Sequence, residues 1–126
     1  MSGRHADLAR LTGMVYRLRQ SEMQALRAEE QKLRAALAEM DESRRASART
    51  NHDRPERRAS GADVAWQAWL DARQRTLNME LARLLARKEP VEHRLRQAFG
   101  RDRAARELEK RAGKTARARH SGQEWQ

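Results

Sequence analysis

The stretch Leu77-Asn78-Met79-Glu80-Leu81-Ala82-Arg83-Leu84-Leu85-Ala86-Arg87-Lys88-Glu89-Pro90-Val91-Glu92-His93-Arg94-Leu95 decides how this chain folds. Leu77, Leu81, Leu84, Val91 and Leu95 step alternately by four and three, with Lys88 in the intervening slot. A helix returns almost to the same face every seven residues, so this is the a/d stripe of a coiled coil. Towards the N-terminus the stripe extends through Leu70 to Trp66, with Arg73 filling a seam slot. Towards the C-terminus it reaches Ala98 and, more weakly, Leu108 and Ala112. Ser60-Gly61-Ala62-Asp63 fits a capping box, S-x-x-[DE], just ahead of it. Gly113 suits the first position past a helix end. The prediction is a helix over about 62–112, roughly 75 Å long.

The N-terminal third carries a matching pattern. Leu8, Leu11, Val15 and Leu18 step by three, four and three; Met23, Leu26, Leu33, Leu37 and Met40 follow. Joining the two sets takes an eleven-residue step from Val15 to Leu26, a stutter that locally unwinds a supercoil. The prediction is a helix over about 6–45. Between the helices, residues 46–61 hold no large apolar side chain, and Asn51, Asp53 and Pro55 favour turns. They read as a polar, disordered tip loop, and residues 113–126 as a disordered polar tail.

Each stripe can hide only against another helix, so the fold class expected is all-α, a single antiparallel two-helix coiled-coil hairpin. Aligning Met40 with Val64 at the tip sets Leu8 opposite about Arg96, and Pro90 level with Gly13. Pro removes a helix hydrogen bond and Gly costs about 1 kcal/mol against Ala, so both helices are soft at that level. Past about residue 100 the second helix has no partner in this alignment.

Composition agrees. The chain has 126 residues, no cysteine, 4% aromatic residues and 37% charged ones. Ala, Arg, Leu, Glu and Gln dominate and are good helix formers. So few aromatics argue against a β-sandwich or barrel. Without cysteine there is no disulfide, Cys zinc site or thiol nucleophile. No apolar run approaches the roughly 20 residues of a membrane helix. Arg4, Asp7 and Arg10 interrupt any signal-peptide core, so a cytoplasmic location without membrane insertion is expected.

Catalytic constellations are not in evidence. His5, His52, His93 and His120 are scattered; Glu89 and His93 share a helix face but make only half of a four-ligand site. Phosphate-binding glycine loops and nucleophile elbows are absent from the sequence. The expectation is a non-enzyme with no catalytic residue, cofactor or metal.

The charge is more telling. Lys and Arg number 28 against 18 Asp and Glu, a net +10. The densest basic run is Arg94, Arg96, Arg101, Arg103 and Arg106, continuing into Lys110, Arg111, Lys114, Arg117 and Arg119, against Asp102, Glu107 and Glu109. Phe99, the only Phe, stands among them. An apolar anchor ringed by arginines is a hot-spot composition, and a basic rim speeds encounter with acidic surfaces. Arg94, Arg96, Phe99, Arg101, Arg103 and Arg106 are therefore the candidate partner-binding residues. Trp66, Trp69 and Leu70 read as packing residues near the tip.

In its small size, basic balance, Trp-led opening Ala65-Trp66-Gln67-Ala68-Trp69-Leu70, Leu-rich heptads and basic run Arg106-Glu107-Leu108-Glu109-Lys110-Arg111, the chain resembles the FliJ family of flagellar type III export proteins and their YscO-type injectisome relatives. The likeness covers most of residues 5–112; Trp69 stands where a Tyr or Phe is more usual. It implies a cytoplasmic stalk or adaptor, peripheral to the membrane-bound export apparatus. Such a stalk inserts into the export ATPase hexamer and contacts the cytoplasmic domain of the export gate. Some members also escort export chaperones. Two other readings stay open. A charge of +10 permits nonspecific nucleic-acid binding, although interspersed acids and the lack of stacking aromatics argue against it. A dimeric scaffold would pair the same seams between chains.

Overall fold

The computed structural model describes residues 2–53 and 61–124. It holds two helices, α1 (Ser2–Asp53) and α2 (Ala62–Glu124), and no strand among the described residues. The expected all-α fold of two helices packed against each other is what the structure shows. Contacts divide the chain into two units, Met1–Ala25 with Glu89–Gln126, and Leu26–Lys88.

Both helices outrun their predicted ends. α1 continues to Asp53, so residues 46–53 of the expected loop are helical. Ala46, Ala48 and Arg49 are good helix formers, and no Pro precedes position 55. The rest of the expected loop, 54–60, lies outside the described residues, and with it Ser60 of the capping box. Gly61 has φ 75°, a left-handed conformation that glycine adopts freely. Its carbonyl accepts the Ala65 N–H at 3.3 Å, so Gly61 itself caps α2. Asp63 adds a favourable negative charge to the first turn. At the other end α2 passes through Gly113 to Glu124 in place of the expected disordered tail. Helix-forming Ala, Arg and Lys on either side outweigh one glycine; Trp125 lies outside the described residues. Pro90 sits within α2 without ending it, on the exposed side, where water can serve the carbonyl it cannot bond.

In the Leu26–Lys88 unit, Met40, Leu70 and Leu77 form a buried cluster with Leu33, Ala36 and Leu37 against it. Leu84 is fully buried. Each such side chain contributes about 1.5–3 kcal/mol relative to exposure. The seam slots nearest the tip are polar. Arg44 donates to Gln67 Oε1 at 3.1 Å, to Gln74 Oε1 at 2.9 Å and to Asp71. At the far end of the unit, Lys88 Nζ donates to Glu30 Oε1 at 2.9 Å, and Arg34 Nε to Glu30 Oε2 at 2.8 Å. Lys88, then Arg34, hold the Glu30 carboxyl below the usual carboxylate range. Polar side chains at seam slots specify register, because sliding the helices would strand them.

In the other unit, Met23, Ala98, Ala105 and Asp102 are buried, and Gly13 with them. Thr12 lies opposite Asp102, and Tyr16 opposite Phe99. The pairing is antiparallel, but shifted by about ten residues, nearly three helical turns, from the alignment that set Leu8 against Arg96. Gly13 accordingly neighbours Asp102 and Arg106, not Pro90. The extra helical turns before the tip, in α1, account for much of the shift.

The seam of α1 also corrects the sequence reading. Burial follows Ala9, Thr12, Tyr16, Arg19, Met23, Leu26, Glu30, Leu33, Leu37, Met40, Arg44 and Ser47, an unbroken alternation of three and four. There is no stutter. Leu8, Leu11, Val15 and Leu18 fall outside this seam and are 36–58% exposed. α2 explains why. Its facing residues here are the small Ala98 and Ala105 and the acidic Asp102. A leucine laid against that carboxylate would leave Oδ1 buried without the donor that Thr12 supplies, Arg106 serving only Oδ2.

Candidate partner-binding site

The partner-binding residues named from the sequence all lie on the Glu89–Gln126 part of α2, beside the first turns of α1. Their helical positions separate them into two faces. Phe99, Arg103 and Arg106 line one groove with Gly13, Tyr16, Arg17, Gln20 and Asp102. Arg101 lines another, with Leu11, Thr12, Val15 and Ala98. Arg94 stands seven residues before Arg101 and shares its side, while Arg96 turns towards the side of Phe99 and Arg103. A single ring of five arginines around Phe99 is therefore not what the helix builds.

Phe99 does not stand where intramolecular partners end. Its ring meets Tyr16 at 5.6 Å between centroids, tilted by 46°, a favourable geometry for aromatic pairs. The Arg103 guanidinium sits 5.6 Å from the Phe99 centroid, within cation–π reach. The ring still exposes 47% of its residue surface. Phe99 is thus held from one side and open on the other.

Asp102 organises the same face. Its carboxylate accepts the Thr12 hydroxyl at 3.0 Å and Arg106 Nε at 3.1 Å, and it is the buried charged residue of the described chain. Arg106 is therefore committed to an intramolecular pair, and is half of an i,i+4 bridge more than a free cation. Among the described residues, Arg94, Arg96, Arg101 and Arg103 make no ion pair. Sequence reasoning missed Tyr16, Thr12 and Asp102, whose partners lie across the helix pair and leave no trace in local spacing.

Support for helix pairing persists well past residue 100. Ala105 is buried, Ala112 and Gly113 are half-buried, and Ala6, Ala9 and Arg10 share a groove with Arg106 and Glu109. Full exposure begins at Lys114 and runs to Gly122, carrying Lys114, Arg117 and Arg119.

Near the tip the three expected packing residues part company. Leu70 is 1% exposed and central to the core. Trp66 and Trp69 are exposed and stacked on each other, centroids 5.3 Å apart and planes within 17°. The seam slots given to Trp66 and Arg73 belong to Gln67 and Gln74, whose amides take Arg44.

No group of three or more His, Asp or Glu is arranged to hold a metal among the described residues. No described helix is long and apolar enough to cross a membrane. No family model, curated protein or solved structure matches the chain.

Proposed function

We propose that the chain is a non-enzymatic coiled-coil adaptor of a type III protein export apparatus, coupling the export ATPase ring to the export gate on the cytoplasmic side. The observation that carries this reading is the half-exposed Phe99, braced by Tyr16 and Arg103, with Arg96 and Arg103 uncompensated beside it. That face suits an acidic protein surface: an aromatic anchor for the centre and guanidinium groups for the rim. The polar residues of the seam are occupied with holding register, Asp102 through Thr12 and Glu30 through Lys88. The resemblance in the Trp-led opening and the basic run supplies the identity of the partner. A location of the gene beside flagellar or injectisome export genes would support it independently.

The test is co-purification with the export ATPase and with the export-gate cytoplasmic domain from the same genome. Phe99→Ala combined with Arg96→Glu and Arg103→Glu abolishes ATPase capture while helicity by circular dichroism is retained. Wild-type protein that binds neither partner, or a variant that binds as well as wild type, refutes the reading. Retention of duplex DNA that the same substitutions abolish assigns the face to nucleic acid instead.

A further inference from the structure

Leu8, Leu11, Val15 and Leu18 have the three-four-three spacing of a coiled-coil seam, yet the contact with α2 does not use them. The residues that do are Ala9, Thr12, Tyr16, Arg19 and Met23. This part of α1 therefore carries two adjacent seams, one satisfied and one open. A helix with two such stripes is patterned for two helical neighbours.

The open stripe has a shaped bed. Leu11 and Val15 line a groove with Thr12, Ala98 and Arg101, and the small Ala98 gives it depth. On α2, Arg94, Arg101 and Leu108 repeat at seven along its edge, all exposed. On α1, Arg4 stands one turn before Leu8 on the same face. Arg4, Arg94 and Arg101 make no ion pair among the described residues. The acids on this side, Asp7 and Glu22, are each held by an arginine of their own helix, Arg10 and Arg19. The rim is therefore positive and uncompensated.

That charge selects the occupant. A second copy of the chain would set three unpaired arginines against the same three, which opposes pairing. A helix with leucines at a and d and glutamates at e and g would fill the groove and neutralise the rim. We propose that this stripe is a docking site for an acidic amphipathic helix of a partner protein, which completes a three-helix assembly here. The proposal does not depend on what binds the Phe99 face.

The probe is a labelled synthetic peptide of about four heptads, Leu at a and d and Glu at e and g, with a companion carrying Lys at e and g. Fluorescence anisotropy with the full-length chain should show saturable, salt-sensitive binding of the acidic peptide alone. Leu11→Gln with Val15→Gln should weaken it by roughly tenfold or more and leave helicity intact, since both residues are exposed. Leu18→Gln serves as a second variant should the pair disturb folding. Arg101→Glu should weaken the acidic peptide and admit the Lys peptide, whereas Phe99→Ala should change neither. The proposal is overturned by equal binding of both peptides, or by undiminished binding to the Gln variants. It is equally overturned by a dimer in sedimentation equilibrium that Leu11→Gln with Val15→Gln dissociates, which would make the occupant a second copy.

Discussion

Replacing Asp102 with alanine removes the buried charge that ties α1 to α2 in the unit formed by Met1–Ala25 and Glu89–Gln126. Asp102 is 7% exposed, and its carboxylate accepts from Thr12 Oγ1 at 3.0 Å and Arg106 Nε at 3.1 Å. A hydrogen bond to a charged group is worth about 1.5–3 kcal/mol. The Arg106 bridge, with its guanidinium largely in water, adds only about 0.3–0.5 kcal/mol. Two terms offset the loss. Alanine is the better helix former by up to about 0.7 kcal/mol, and the Thr12 hydroxyl is not orphaned, because its single hydrogen can turn to the Ala9 carbonyl, 3.1 Å away. The net expectation is a loss of about 1–3 kcal/mol, which for a chain of this length lowers Tm by roughly 4–11 °C. Thermal melts followed by circular dichroism measure it. Thr12→Ala and the double variant complete a cycle, with a coupling of about 1 kcal/mol between the two sites. A Tm for Asp102→Ala at or above wild type, with no coupling, refutes the reasoning. It would mean that α1 presents Leu8 and Leu11, not Thr12, to α2.

Three further outcomes follow from the same contacts. Gly13→Ala should stabilise by about 0.4–1 kcal/mol in urea titration, because the added Cβ meets only ordinary contacts, 3.5 Å from Arg17 and 3.6 Å from Asp102. Leu84→Ala, at a residue with no exposed surface, should cost about 2–5 kcal/mol in the same assay. For Glu30, whose folded pKa is lowered first by Lys88 and then by Arg34, the stabilising contribution is complete above the ordinary carboxylate pKa of about 4.3. It is lost as pH falls through the lowered folded value. The difference in urea midpoint between wild type and Glu30→Gln should therefore be full at neutral pH and vanish in strong acid; a difference unchanged by acid would count against the Lys88–Glu30 pair.

The second helix was legible because its repeat is uninterrupted: the four-three phase of Leu77 to Leu95 carries into Ala98, Asp102 and Ala105. The same phase, counted back from Leu77 and Leu70, lands on Gln74 and Gln67. Preferring the apolar Trp66 to a glutamine missed that phase, and the polar slots proved to be the ones Arg44 needs. The first helix misled between Leu8 and Leu18 because it carries two stripes, and local spacing cannot tell which one faces the partner. That choice is made by Ala98, Asp102 and Ala105, some ninety residues away in sequence. The register was misjudged for a related reason. Placing the tip at the last large apolar residue, Met40, ignored that the Ala- and Arg-rich run after it forms helix well enough unaided. Phe99 was recognisable as an isolated aromatic among arginines, but its brace, Tyr16, is a long-range contact.

The central claim is that α1 pairs with α2 through Thr12 and Asp102, leaving Leu8, Leu11, Val15 and Leu18 open. The chain has no cysteine, so a single engineered pair reads it out. Thr12→Cys with Asp102→Cys, replacing side chains whose oxygens lie 3.0 Å apart, should form an intramolecular disulfide under mild oxidation. Mass spectrometry of a non-reduced digest would detect it. Leu8→Cys with Arg96→Cys should remain reduced under the same conditions. Cross-linking of the Leu8–Arg96 pair, with Thr12 and Asp102 left unlinked, would contradict the account.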